Sequence, residues 1–135
     1  MPNLKAQYRM FHNNKNLVSF KSDVSKLTCF KGLLHGCQKL KYVDLIISDE
    51  NDIIIDTENC FTSCNNLKQL TLTSNNLLNV VEILKCIPNN ASIQNKQVIL
   101  RKKDNTKYTE SDLNNIGDSG KTIVEKLKND GWKIN

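Results

Sequence analysis

Leu67-Lys-Gln-Leu70-Thr-Leu72-Thr-Ser-Asn75-Asn-Leu77 fills the frame LxxLxLxxNxL at every position. Within it Leu70 and Leu72 alternate with Gln69, Thr71 and Thr73, the period-two pattern of a strand with one apolar face. Upstream, Leu33-Leu-His-Gly-Cys37-Gln-Lys-Leu40-Lys-Tyr-Val43-Asp-Leu45 parallels Cys60-Phe-Thr-Ser-Cys64-Asn-Asn-Leu67-Lys-Gln-Leu70-Thr-Leu72 at an offset of 27 residues. A weaker copy, Met10-Phe-His-Asn-Asn14-Lys-Asn-Leu17-Val-Ser-Phe20, is offset by 23 residues, and another fades through Ile93 into Val98 and Leu100. Such offsets fit stacked repeat units of roughly 20 to 29 residues, none of which buries its apolar side alone. Stacking is therefore predicted, with a shared apolar interior and a row of exposed strands.

The segments between strands have apolar residues at helical spacing: Val24, Leu27, Phe30 and Leu34 in one, Leu77, Val80, Val81, Leu84 and Ile87 in another. Each unit is expected to be a short strand plus a helix, giving an α/β fold. Pro88, with Asn89 and Asn90, ends the second of these helices, and Ser74 or Asn75 is a plausible N-cap. Asn75 equally suits an inward amide that satisfies backbone groups where the strand turns away. The last thirty or so residues leave the frame. Thr109-Glu-Ser-Asp112 reads as a capping box with Asp in place of Glu, Ser119 as the cap of a helix carrying Ile123, Val124 and Leu127, and Gly131 as its C′ residue. Trp132 and Ile134 then alternate as a final strand. This ending is expected to cover an otherwise open apolar end, and the amphipathic stretch with Leu4, Tyr8 and Phe11 to be a cap helix at the other end. One domain over 1–135 is expected, with repeats over 1–105 and the cap over 106–135.

The rhythm MF-x-x-C/N-x-x-L-x-x-L-x-L resembles the BspA-type leucine-rich repeats of bacterial surface proteins and phage-encoded proteins. The resemblance covers about residues 10 to 100, and the tail from Tyr108 to Ile134 is similar to the helical ending of phage tail repeat domains. It implies a short leucine-rich-repeat solenoid of four to five strand-helix coils with a helical C-terminal cap. Because repeats of this family are interaction modules without catalytic residues, it also implies a binding protein that needs no cofactor.

Met1-Pro-Asn-Leu-Lys-Ala-Gln-Tyr-Arg has no apolar core of a signal peptide, and no stretch reaches the length of a membrane span. A cytoplasmic location is expected, the host cytoplasm if the gene is phage-borne, and the five cysteines are expected as reduced thiols. A short chain of this composition resembles phage inhibitors of host defence, anti-CRISPR proteins among them. That likeness implies a protein partner such as a CRISPR effector nuclease or its RNA complex.

Cys37 and Cys64 share one repeat slot, which points to packing. A zinc site from His35, Cys37, Cys60 and Cys64 can be drawn, but structural zinc ligands usually come in CxxC-type pairs, so none is expected. His12 and His35 are expected at corners preceding the strands, and Asp49 and Glu50 in a solvated loop. Gly117-Asp-Ser-Gly120-Lys121-Thr122 carries the GK[ST] ending of a phosphate loop, yet Asn115 stands where its first glycine belongs and no buried strand precedes it. A turn and helix cap is the expected reading, and no catalytic residue is assigned.

The net charge of +5 is segregated: +7 over residues 1–41, −6 over 42–66, +5 over 67–107 and −1 over the remainder. Zoned potential of this kind steers and orients charged partners. If Val43 and Leu45, Leu70 and Leu72, and Val98 and Leu100 point inward, strand geometry sends Tyr42, Asp44 and Ile46, Gln69, Thr71 and Thr73, and Gln97, Ile99 and Arg101 outward. These nine, with Lys68, Lys102 and Lys103 beside them, are the predicted partner-binding residues, led by Tyr42 and Arg101. The expected function is a non-enzymatic protein-binding module that is a monomer on its own. Alternatives are RNA or ribonucleoprotein binding through the basic zones, a terminal domain of a phage structural protein, and an NTPase built on Lys121. Only eight aromatics argue against extensive base stacking.

Overall fold

Among the described residues five parallel strands succeed one another across a single sheet in chain order: β1 (Ser19–Asp23), β2 (Tyr42–Ile46), β3 (Gln69–Thr73), β4 (Gln97–Arg101) and β5 (Lys133–Ile134). The computed structural model describes residues 11, 13–27, 29–50 and 57–135. The expected cap of Leu4 and Tyr8 and the corner histidine His12 lie outside them. The register follows the sequence repeat: Phe20 pairs with Val43, Val43 with Leu70 and Leu70 with Val98, while Leu45 pairs with Leu72 and Leu72 with Leu100. The inward positions of β2, β3 and β4 are all buried and join one apolar core running from Val24 to Trp132.

Among the described residues three helices accompany the sheet: α1 (Leu77–Leu84), α2 (Glu110–Asn114) and α3 (Asp118–Asn129). Asn76 caps α1, its side chain accepting from the Leu78 N–H, one or two residues later than the caps expected from sequence. Ser74 is instead buried, donating to the Ser48 carbonyl, and Asn75 is exposed and accepts from the Lys103 N–H. At α2 the Thr109–Asp112 capping box is complete in both directions. Ser119 does not cap α3; Gly117 holds that position without a side-chain bond, and Gly131 follows the C-cap Asp130 with φ +82°. Ile123, Val124 and Leu127 of α3 enter the common core.

Residues 24–27 and 29–40 form turns, not the helix that their apolar spacing suggests. Their amide hydrogens go to the next unit: Gly32 N donates to Glu58 O, Leu34 N to Cys60 O and Gly36 N to Thr62 O, each at 2.8–2.9 Å. A helix would have spent those donors within its own turn. Gly36 has φ +79°, where a Cβ would strike Asn13, so the glycine lets two units approach closely. The strand-plus-helix unit is thus found at Leu77–Leu84 but not between β1 and β2.

The cysteine slot has its own role in this stacking. Cys37 Sγ donates to Phe11 O at 3.2 Å and Cys64 Sγ to Leu34 O at 3.1 Å, each thiol reaching one unit back. Asn90 does the same with more reach, its amide donating to both Cys64 O and Leu67 O at 2.9 Å. Asn90, rather than Asn75, therefore supplies the amide that satisfies backbone carbonyls of the preceding turn. Burial pushes the thiol of Cys64 up to about 12, which suits a neutral donor rather than a ligand or nucleophile.

The chain leaving α1 is held by side chains. Four successive carbonyls accept from Lys126 Nζ (Ile87), Trp132 Nε1 (Pro88) and Lys96 Nζ (Asn89 and Asn90). Lys96, only 2% exposed, also donates to Asp130 O and lies 5.3 Å from the Trp132 ring centre. A buried ammonium is tolerated here because carbonyl oxygens surround it.

Candidate functional site

The side of the sheet opposite the core carries three rows of side chains, produced by in-register parallel pairing of alternating strands. The first row is Ser19, Tyr42, Gln69, Gln97 and Lys133; the second is Lys21, Asp44, Thr71 and Ile99; the third is Asp23, Ile46, Thr73 and Arg101. All nine strand residues expected to face outward fall in these rows.

In the first row the amides are chained. Asn135 Nδ2 donates to Gln97 Oε1 at 2.6 Å, and Gln97 Nε2 donates to Gln69 Oε1 at 2.8 Å. Tyr42 is the next member of that row, 40% exposed and one of three large apolar side chains left open to water among the described residues. Lying across the second and third rows, Arg101 Nη2 sits 3.8 Å from Asp44 Oδ2, and Arg101 Nε is screened from water without an acceptor.

The expected residues differ in how far they are exposed. Thr71 and Thr73 face outward but are buried, at 4% and 7% exposure, so each reaches water only at the floor of a depression. They occupy the central strand, flanked in register by the longer Asp44 and Ile99, and Ile46 and Arg101, and the Asp44–Arg101 pair reaches from β2 to β4 across them. Lys68 precedes β3 by one residue, out of step with the outward rows, and is half-buried. Lys102 lies on the turn after β4 with its ammonium 5.7 Å from the Tyr108 ring centre. Lys103 reaches back to Asp49 at 2.7 Å.

Asp49 is more organised than a solvated loop residue. Besides Lys103 it accepts from Asn75 N at 2.7 Å and Ser74 Oγ at 3.1 Å. Desolvation alone would raise its carboxyl, but these three donors outweigh it and hold the group below its ordinary value. The charge zones of the sequence become links between units: Glu58 pairs with Lys31 of the preceding unit, while Asp44 and Asp49 pair with Arg101 and Lys103 of the basic zone beyond β3. Exposed pairs of this kind add little stability and mainly fix orientation.

A depression of about 370 Å³ opens in the third row, lined by Lys21, Asp23, Asp44, Ile46, Thr73, Arg101, Lys103 and Asn105. A smaller one of about 200 Å³ lies beside Tyr42 and shares Lys21 and Asp44 with it. Lys21, Asp23 and Asn105 were absent from the sequence-based set. The first two were legible in principle, because aligning the degenerate copy on Phe20 and Val43 sends Lys21 and Asp23 outward with Asp44 and Ile46.

The Gly117–Thr122 letters have a packing explanation. Thr122 Oγ1 donates to Asp118 O within α3, and a Cβ on Gly120 would collide with the Leu113 carbonyl of α2. Among the described residues no group of three or more His, Cys, Asp or Glu side chains is arranged to hold a metal ion, and no helix is long and apolar enough to cross a membrane. Comparison with protein-family models, curated proteins and solved structures finds no match to this chain.

Proposed function

We propose that the chain is a short leucine-rich-repeat solenoid, closed at its C-terminal end by α2 and α3, that works as a non-enzymatic protein-binding module. In its most specific form it is a phage-type inhibitor that docks on a host defence effector in the cytoplasm, a CRISPR nuclease or its RNA complex being the expected class. The solenoid reading is supported by chain-order parallel pairing in which sequence-equivalent residues are register partners. The five cysteines, all unpaired, suit a reducing compartment.

One observation carries the binding role: the outer sheet face combines exposed Tyr42, half-exposed Ile46 and Ile99, and an Arg101 held by one loose ion pair. Aromatic and arginine side chains of this kind dominate binding energy at protein interfaces.

Capture from host lysate with the tagged chain tests the reading, using Tyr42→Ala/Arg101→Ala and Lys121→Ala variants side by side, with and without ribonuclease. A stoichiometric protein partner is expected for the native chain and Lys121→Ala after ribonuclease treatment. The double face variant should lose it at least tenfold, as two hot-spot truncations of about 1–2 kcal/mol each require. Undiminished capture by the double variant would remove this face from the account. A complex that disappears with ribonuclease would favour RNA binding through the basic zones instead.

A further inference from the structure

Where the strands enter the sheet, three turns are stacked. The amide hydrogens of Leu17, Leu40 and Leu67 donate to the carbonyls of Asn14, Cys37 and Cys64, each at 3.2 Å. Because Leu40 and Leu67, like Cys37 and Cys64, are buried, the two central residues of each turn are left to water. These are Lys15 and Asn16, Gln38 and Lys39, Asn65 and Asn66, all exposed. Asn66 Nδ2 donates to Gln38 O at 2.6 Å and ties two of the turns together. Lys41 and Lys68 stand immediately ahead of β2 and β3, their amide hydrogens going to Val18 O and Lys41 O, which keeps the units in step. We propose that this ridge is a second binding surface, separate from the outer sheet face, and that it takes the phosphate backbone of a single-stranded RNA.

The charge of the ridge is uncompensated. No Asp or Glu occurs in residues 13–18, 36–42 or 63–69. Among the described residues Lys15, Lys39, Lys41 and Lys68 form no ion pair, whereas Lys31, Arg101 and Lys103 each have an acid beside them. The acids of β1 and β2, Asp23 and Asp44, lie three or more residues further along their strands, about 10 Å away at about 3.3 Å per residue. Successive turns step by about 4.8 Å, against a charge about every 3.4 Å along a stacked nucleic-acid strand, so several phosphates can find a lysine at once. Lysine binds phosphate well as a point charge but is depleted at protein interfaces, whose cores are apolar, and these turn tips carry Lys, Asn and Gln alone. The amides can pair with base edges and 2′-hydroxyls, groups that a single RNA strand presents freely. Tyr42, beside Lys41, adds one exposed ring on which a base can stack.

Fluorescence anisotropy of a labelled twelve-nucleotide single-stranded RNA of mixed sequence, titrated with the full chain at several salt concentrations, tests the proposal. Affinity is expected to fall with salt at a log–log slope of about −3, four lysine contacts at about −0.7 each. Lys39→Gln/Lys41→Gln should weaken binding at least tenfold and make the slope shallower by about 1.4. Lys107→Gln/Lys121→Gln removes the same net charge from exposed lysines elsewhere and should stay within about twofold of the native chain. All four positions are exposed, so neither variant is expected to disturb the fold. Absence of binding at low salt, indifference to Lys39→Gln/Lys41→Gln, or an equal loss in Lys107→Gln/Lys121→Gln would each overturn the site. Equally tight binding of duplex RNA or of DNA of the same sequence, or full displacement of the RNA by polyglutamate at matched charge, would overturn the assignment to single-stranded RNA. Failure on any of these counts leaves the outer face untouched, since Tyr42→Ala/Arg101→Ala tests that surface on its own.

Discussion

Leu72→Ala is expected to destabilise the protein by about 3 kcal/mol, within the 2–5 kcal/mol range for truncating a fully buried leucine. Leu72 is 0% exposed on the central strand, with Leu45 and Leu100 as its register partners on either side. A cavity there has core on both flanks, so little collapse can relieve it. Urea unfolding reads the loss as a lower midpoint at unchanged slope. Val18→Ala, at a residue 45% exposed, serves as the comparison and should move stability by less than about 0.5 kcal/mol. Similar losses at the two positions would mean that Leu72 is not in the interior.

The second large effect is expected at Lys96. Its ammonium donates to the carbonyls of Asn89, Asn90 and Asp130, tying the chain after α1 to the end of α3. Lys96→Ala leaves these acceptors without their donor and withdraws the side chain from beside Trp132. At about 1–3 kcal/mol for a buried unsatisfied group, moderated by water entry, a net loss of about 3 kcal/mol follows. For a chain of this size that lowers Tm by roughly 10 °C. Lys96→Met retains the apolar stem and should recover only the packing part, leaving a melting temperature between those of the native and alanine proteins. Calorimetry on the three proteins checks the order. A methionine variant as stable as the native chain would show that the ammonium contributes nothing.

The strands were readable from sequence because period-two alternation and a repeat offset of 27 residues both point to the same residues. Tyr42, Asp44 and Arg101 were placed on the outer face by that argument alone. The connecting segment after β1 was not readable in the same way. Val24, Leu27, Phe30 and Leu34 have helical spacing, yet buried turns that face one core show the same spacing. What decides between them is where the amide hydrogens go, and here they go to a neighbouring unit.

Burial of Thr71 and Thr73 was equally hidden, because it follows from which longer side chains flank them in the sheet, Asp44 and Ile46 on one side and Ile99 and Arg101 on the other. Lys96 gave no signal either. A lysine ahead of a strand reads as a solvated cation, and only the convergence of three carbonyls from two distant turns makes it a buried tie. The structural amide was sought at Asn75, where the frame places one, but was found at Asn90, which follows the proline that releases the chain from α1. Local pattern thus placed the strands and their faces, and tertiary hydrogen bonding decided the rest.

The face and the core exist together only if the strands pair in the register that makes Leu45, Leu72 and Leu100 neighbours. Methyl–methyl nuclear Overhauser contacts in a protein labelled at Leu and Val methyls measure this directly, since adjacent strands lie about 4.8 Å apart. Cross-peaks are expected for Leu45–Leu72, Leu72–Leu100, Val43–Leu70 and Leu70–Val98. A spectrum that instead joined Leu72 to residues one step out of register, or left the three leucines unconnected, would contradict both the shared interior and the surface built on it.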